Sequence, residues 1–274
     1  MTLPGPEPRV SGSGTTPAAA DLASPELRRA VSRYVLAIAD DELIIGHRHS
    51  EWTGFAPDIE SDVALSSIAQ EEIGHAKLFY EQVAQLQGGT ADTLAYGRSA
   101  GEFRNAVFVE RRNGDWGYSM LRLFLYDRAD AVRLGALAGG TAKPVAELAS
   151  VLRREEKYHL MYGEQWLRHL AGASSEARER MQGALEMSWV EAEGLFAPVE
   201  DEQMLVGSGI MTLESAVQFA RWKQATLPLL GELGLRPPAG GSALNGRQGE
   251  HTEALAGLLD EMTSVSRADP GASW

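Results

Sequence analysis

The stretch Leu65–Phe79, LSSIAQEEIGHAKLF, decides the fold. Its apolar residues recur three and four positions apart, which is the spacing that places side chains on one face of an α-helix. Glu72 and His75 fall on the same seam as these apolar residues. The sequence therefore predicts a helix that points a carboxylate and an imidazole, one turn apart, into the interior of a helical bundle.

The same pattern returns at 152–166, LRREEKYHLMYGEQW, where Glu156 and His159 repeat the Glu-x-x-His step. An acid on an apolar seam of the preceding helix comes before each motif: Glu42 stands 30 residues before Glu72, and Asp127 stands 29 residues before Glu156. At average glutamate content, the six histidines would give about 0.4 chance matches to Glu-x-x-His. Two matches, both on apolar seams and both preceded by an acid at nearly equal spacing, are a specific signal.

Several carboxylates buried close together destabilise a protein, because each loses its hydration and raises the pKa of the others. A divalent cation among them removes this penalty. Two helices that each supply an acid, and two that each supply Glu-x-x-His, form the ligand set of ferritin-like di-iron carboxylate bundles. The predicted metal ligands are Glu42, Glu72, His75, Asp127, Glu156 and His159. The alternative is a polar network or solvated helix faces, with Glu72 and Glu156 paired to nearby basic residues such as Lys77, Arg153 or Arg154.

Neighbouring ionisable residues follow the seams less closely. Asp130 lies on a seam and either supports a metal ligand or forms a buried salt bridge with Arg128 or Arg133. Glu71 and Glu155 adjoin the ligands but fall off the seam, so we expect them at the surface.

Other candidates in the chain have simpler interpretations. Glu42 is a better ligand candidate than Asp41, whose neighbours three and four residues away make a weaker seam. His47 and His49 are expected to be ordinary surface or core histidines, and His169 and His251 show no pattern. The tryptophans are expected to pack in the core or in interfaces, and not to form an electron relay.

Gly and Pro breaks separate long segments with a period near 3.6 residues, which is typical of helices. The predicted helices cover 25–51, 58–87, 116–138, 143–171, 175–197, 212–233 and 249–266. Residues 1–24, rich in Pro, Gly, Ser, Thr and Ala, are expected to be a disordered tail. The sequence thus predicts an all-α protein, with one ferritin-like four-helix bundle and additional C-terminal helices over 25–274.

Composition excludes several classes of function. The 274 residues carry a formal net charge of −13, which disfavours nucleic acid and anionic membranes as partners. The chain has no cysteine, so disulfides, thiolate nucleophiles and iron–sulfur clusters are excluded. We find no apolar run of membrane-spanning length and no export signal, so the expected location is cytoplasmic.

Beyond these patterns, the sequence resembles the subunits of the bacterial phenylacetyl-CoA epoxidase, and most closely its C-type subunit, over about residues 30–274. The residues that carry the resemblance are SEW at 50–52, AP at 56–57, DTLA at 92–95, EFRN at 102–105, VE at 109–110, NGD at 113–115, EKYH at 156–159, GEHTE at 249–253 and the stretch from LLDEM at 258–262 to Trp274.

The resemblance implies a multicomponent di-iron monooxygenase that epoxidises the aromatic ring of phenylacetyl-CoA. It implies two iron ions, an A-type subunit as partner, and electrons from NADPH through a separate reductase. In this family the A-type subunit holds the irons, and the C-type subunit is a structural partner with a degraded metal site. The present chain resembles the C-type subunit but keeps the six A-type ligand positions. Arg98, Arg104, Arg111 and Arg112 are candidates for binding the CoA phosphates.

Three functions remain open at this point: a di-iron oxygenase subunit, a structural C-type subunit with a vestigial site, and a ferritin-like iron-handling protein. The enzyme assignment depends on the first of them.

Overall fold

The computed structural model describes residue 22 and residues 24–241 and 243–269. This part of the chain contains helices and no strand, which confirms the predicted all-α class. The helices are α1 (Pro25–Ser50), α2 (Ile59–Gln87), α3 (Ala91–Tyr96), α4 (Val107–Glu110), α5 (Trp116–Ala138), α6 (Lys143–Ala173), α7 (Ser175–Glu193), α8 (Glu202–Gly207), α9 (Ser215–Glu232), α10 (Glu253–Met262) and α11 (Ser264–Ala268).

Four long helices form the bundle. Helix α1 packs along α2, α5 packs along α6, and the two pairs meet through α2 and α6. Helices α7 and α9 lie against α5, and α10 contacts the short α4. The predicted four-helix bundle with additional C-terminal helices is confirmed.

Side chains just before the helices fix where three of the four bundle helices begin. The Ser24 hydroxyl accepts a hydrogen bond from the Leu27 amide, with a proline at the first helical position. Asp58 and Asp115 accept hydrogen bonds from the amides three residues ahead, at 2.7 and 2.8 Å. These caps satisfy amides that have no partner within the helix.

Three predicted helix boundaries were wrong. The helix predicted over 175–197 ends as α7 at Glu193 and passes into a 3₁₀ turn. The helix predicted from 212 begins at Ser215, because the Thr212 amide bonds to Ala136 and the Glu202 carboxylate accepts from the Ser215 amide. The helix predicted over 249–266 begins only at Glu253 and is interrupted at Thr263.

Two glycines allow the bundle helices to approach closely. A Cβ atom on Gly46 of α1 would lie 2.9 Å from Ile73 and 3.0 Å from the Cβ of Glu72 on α2. A Cβ atom on Gly163 of α6 would lie 3.2 Å from the backbone of Phe124 on α5. The absent side chains therefore set the spacing of the helices that carry the candidate ligands.

Two further expectations concern the ends of the chain and membranes. The predicted tail at 1–24 falls almost wholly outside the described residues. Among the helices that are described, none combines the length and the apolar character that crossing a bilayer requires.

Candidate metal centre

The four bundle helices bring all six predicted ligands into one buried cluster. Helix α1 supplies Glu42, α2 supplies Glu72 and His75, α5 supplies Asp127, and α6 supplies Glu156 and His159. Each of the six residues is at most 3 % exposed. The seam spacing in the sequence therefore corresponds to real convergence in three dimensions.

The cluster consists of two overlapping groups. One contains Glu42, Glu72, His75 and Glu156, and the other contains Glu72, Asp127, Glu156 and His159. Within each group, one potential ligand atom per residue lies within 4.8 Å of all the others. Two ligands on opposite sides of a first-row metal, each about 2.0–2.2 Å from it, lie up to about 4.4 Å apart, so the dimensions of each group are close to those of a metal site.

Glu72 and Glu156 belong to both groups. Each places one carboxylate oxygen near His75 and the other near His159. The Nδ1 atom of His75 lies 3.8 Å from Oε2 of Glu72 and 3.1 Å from Oε1 of Glu156. The Nδ1 atom of His159 lies 3.4 Å from Oε1 of Glu72 and 3.5 Å from Oε2 of Glu156. Two carboxylates placed in this way can bridge a pair of metal ions.

The polar atoms of the cluster fit a pair of metal ions. Both carboxylate oxygens of Glu42, Glu72, Asp127 and Glu156, and the Nδ1 atoms of both histidines, have no hydrogen-bond partner among the described residues. Such atoms are rarely left unpaired in a protein interior. Two dications would also neutralise the four carboxylates. Oxygen and imidazole donors suit first-row transition metals such as iron.

The alternative polar network is not formed. Glu72 and Glu156 have no lysine or arginine partner in the described part of the chain, and the Lys77 amine lies 3.7 Å from Glu81 instead.

The outer nitrogens of the two histidines are held by acids from the opposite helix. The Nε2 atom of His75 on α2 lies 2.9 Å from Glu155 on α6, and the Nε2 atom of His159 on α6 lies 2.8 Å from Glu71 on α2. A carboxylate that accepts from Nε2–H fixes the tautomer and leaves Nδ1 free to bind a metal. Glu71 and Glu155 reach the surface, as expected, but the sequence analysis missed their contact with the ligands.

Without a metal, protons must supply the positive charge of the cluster. Burial alone would lower the pKa of each histidine. Contacts with Glu156, Glu42 and Glu72 instead raise the pKa of His75 to about 12. Contacts with Glu156 and Asp127 raise the pKa of His159 to about 10.

The carboxyl groups of the cluster differ in the direction of their pKa shifts. Burial, followed by repulsion from Glu156 and Glu42, raises the pKa of Glu72 well above its usual range. Burial and the charge of Glu156 do the same for Asp127. Burial would also raise the pKa of Glu156, but its contacts with both imidazoles lower it to about 2. The metal-free cluster thus shares a few protons among several bases, and metal ions would displace them.

A second, separate network of buried charges lies next to the cluster. The Arg133 guanidinium donates to Asp41 and, at 2.6 Å, to Asp130. Arg247, from the C-terminal part of the chain, donates to Asp41 at 2.6 and 3.0 Å. Of the two roles considered for Asp130, the salt bridge with Arg133 is formed, while its other oxygen has no partner among the described residues. Burial and the charge of Glu42 raise the pKa of Asp130 well above its usual range.

The arginines considered for CoA phosphates differ in availability. Arg98 is committed to buried Asp40, and Arg111 is paired with Glu191. Arg112 is exposed, and together with Arg111 it lines a surface groove of about 770 Å³ between the α4–α5 connection and α7.

The sequence model of the family described as phenylacetic acid catabolic protein matches residues 15–274. The chain belongs to this family. The resemblance that the sequence motifs indicated is thereby confirmed.

The chain is similar to the C-type subunit of the 1,2-phenylacetyl-CoA epoxidase of Escherichia coli (strain K12). The two are 31 % identical over 252 residues, which cover 89 % of the present chain and 99 % of the relative. The match therefore extends through the bundle and the C-terminal helices alike.

His251 had no pattern in the sequence, yet it holds the C-terminal part of this family member to the connection between α2 and α5. Its Nδ1 atom lies 2.7 Å from the buried Glu110 carboxylate, and its Nε2 atom lies 3.0 Å from the Phe103 carbonyl oxygen. The Thr252 amide donates to the same Glu110 at 2.6 Å. The only sequence signal for this contact was the GEHTE motif at 249–253, which belonged to the resemblance.

Proposed function

We propose that this chain is a subunit of a multicomponent di-iron monooxygenase that epoxidises the aromatic ring of phenylacetyl-CoA, and that its own bundle holds the two irons. The observation that carries the proposal is the set of buried oxygens and Nδ1 atoms that converge without partners among the described residues. Family membership and the epoxidase relative support the reaction and the substrate.

Within this proposal each residue has a defined task. Glu42, Glu72, His75 and Glu156 would hold one iron, and Glu72, Asp127, Glu156 and His159 would hold the other. When bound, the irons would supply the activation of O₂ and the transfer of one oxygen atom to the ring.

The surrounding residues orient the ligands. Glu71 and Glu155 hold the Nε2–H groups, so each imidazole would present Nδ1 to an iron once metal has displaced the second ring proton. Asp130 interacts electrostatically with Glu42 and accepts a hydrogen bond from Arg133 at 2.6 Å.

The proposal also requires partners. The chain has no cysteine with which to hold an iron–sulfur cluster, so we propose that electrons come from NADPH through a separate reductase. We further propose an A-type epoxidase subunit as the assembly partner, in the cytoplasm.

A second candidate function is a structural role, which the relationship to a C-type epoxidase subunit favours. In that case the chain stabilises a catalytic A-type subunit, and its own cluster takes no part in turnover. The two functions share the complex and differ only in where the chemistry occurs.

Metal analysis tests whether the cluster binds iron. Protein expressed with sufficient iron should contain about two irons per chain, and Glu72→Ala should contain little or none. Glu81→Ala is the matched control, because Glu81 lies on the same helix at the surface. Iron-free wild-type protein, or equal iron in wild type and Glu72→Ala, would contradict the proposal.

Turnover in the assembled complex distinguishes the two candidates. His159→Ala should leave association with the A-type subunit intact, because His159 is fully buried inside this chain. If the site is catalytic, epoxidation of phenylacetyl-CoA should be lost in that complex. Undiminished epoxidation would assign the chain the structural role.

A further inference from the structure

A continuous series of aromatic rings runs from the candidate metal centre to the surface. The His159 ring lies 6.4 Å from the Tyr158 ring, and Tyr158 lies 6.5 Å from Tyr162, measured between ring centroids. Tyr158 is 47 % exposed. The Tyr158 ring therefore links a proposed iron ligand directly to bulk solvent.

The series continues along α6 and crosses to α5 and to the residues that follow α1. Trp166 lies one helical turn beyond Tyr162, at a spacing where side chains are neighbours. Its ring is 5.3 Å from Trp116, which is in turn 5.1 Å from Trp52, both in edge-on contact. Trp166 also lies 5.6 Å from the exposed His169.

The other described tryptophans do not belong to this series. Trp189 and Trp222 stack on each other at 4.7 Å, and Trp222 packs with Phe196 and Phe219, in a separate cluster against α9. Of these two aromatic groups, the series along α6 is the one that contacts a proposed metal ligand.

Tyrosine and tryptophan are the side chains best suited to carry an oxidising equivalent in this protein, because the chain has no cysteine. Packed rings allow an electron to move in short steps. A loaded centre would also react with O₂ when no aromatic substrate is bound. The side chains that hold the metal would then be the nearest targets for oxidation.

We propose that Tyr158 carries such an oxidising equivalent from the metal centre to the surface, and that Tyr162, Trp166, Trp116 and Trp52 form a side branch of this relay. For these three tryptophans the proposal replaces the expectation that they form no electron relay. This inference rests on the proposed function. In the first step, one electron passes from the Tyr158 phenol through His159 to the oxidised centre, and the phenolic proton goes to solvent. A small-molecule reductant of the ascorbate class then returns one electron, and a solvent proton restores the phenol.

The experiment uses the full chain, loaded with ferrous iron in the absence of oxygen and analysed for metal. Exposure to O₂ without aromatic substrate should give an organic radical detectable by electron paramagnetic resonance. Peptide mass spectrometry should then find oxidation at Tyr158 that is several-fold greater than at Tyr96. These two tyrosines are 47 and 40 % exposed, so access to solvent does not distinguish them.

Variants locate the path. Tyr158→Phe should reduce the radical signal several-fold, whereas Tyr96→Phe should leave it unchanged. Trp166→Phe should protect Trp116 and Trp52 from oxidation while Tyr158 is still oxidised, because only the outer branch is interrupted. Iron content should be the same in all three variants.

Each contrary result has a definite meaning. Equal oxidation of Tyr96 and Tyr158, or a radical signal that survives in Tyr158→Phe, would show that oxidants in solution cause the damage, and would overturn the relay alone. A chain that takes up no iron would overturn the proposed function and the relay together.

Discussion

The metal-free protein should become less stable as pH rises from about 7 to 9. Contacts with buried carboxylates raise the pKa of His75 to about 12 and that of His159 to about 10. An unfolded histidine titrates near 6.5. Across this range the folded protein keeps two protons that the unfolded chain releases, so the stabilisation that is complete below pH 6.5 is lost progressively as pH rises.

The expected magnitude is large for a protein of this size. Each such proton changes the free energy of unfolding by about 1.4 kcal/mol per pH unit, and both imidazoles are at most 3 % exposed, so solvent screens them little. Two protons together give roughly 3 kcal/mol per pH unit. In a chain of this length that corresponds to a fall in Tm of roughly 5–10 °C per pH unit. The raised pKa values of Glu72 and Asp127 act in the same direction.

Calorimetry of chelator-treated protein at about pH 7, 8 and 9 measures this slope. His159→Asn should reduce the slope substantially, and His169→Asn, a change at an exposed position on the same helix, should leave it unchanged. Protein loaded with Mn²⁺ should lose the slope, because metal replaces the protons and binds more tightly as pH rises. A constant or rising Tm in the metal-free protein would refute the protonated cluster.

Two further predictions concern packing and charge. Gly163→Ala should destabilise the protein by about 1–3 kcal/mol, because the new methyl group meets the Phe124 backbone at 3.2 Å. Gly172→Ala, on the same helix but with open space around the new methyl group, should not destabilise it in this way. Equal melting temperatures of the two variants would contradict the close approach of α5 and α6. Arg247→Gln should cost about 1–3 kcal/mol, because Asp41 loses one of its buried donors while Arg133 remains paired with it. Arg267→Gln, which removes an exposed ion pair, should change the free energy of unfolding by under about 1 kcal/mol in denaturant titrations.

The bundle helices could be predicted because their signals are local in the sequence. The bundle helices α1, α2, α5 and α6 begin within one residue of their predicted starts, because cap residues, apolar seams and glycine breaks are all encoded within a few positions. The predicted starts of the C-terminal helices were wrong where contacts with residues distant in the sequence determine them. Ser215 begins its helix because Glu202 accepts from its amide, and Thr252 is fixed by Glu110, which lies 142 residues away.

The same distinction applies to the site. The six candidate ligands could be found from the sequence, because each Glu-x-x-His motif is local and faces one way. The contacts of Glu71 and Glu155 could not, because they depend on how α2 and α6 slide past each other, which packing determines. One sequence signal existed: both motifs read Glu-Glu-x-x-His, and the first acid of each contacts the histidine of the other.

The two buried charge networks support the proposal that this chain itself holds metal ions. Where this fold needs permanent neutralisation of a buried acid, it supplies arginine: Arg133 and Arg247 both donate to Asp41. On the neighbouring seam Glu42 and the other three acids of the cluster receive no such partner from the described residues. A scaffold would gain stability by replacing unpaired buried acids with apolar residues, since a partnerless buried charge is strongly destabilising. Among the described residues, arginines neutralise the acid on one side of α1 and not the acids on the other, which supports the proposal that metal ions neutralise the second network.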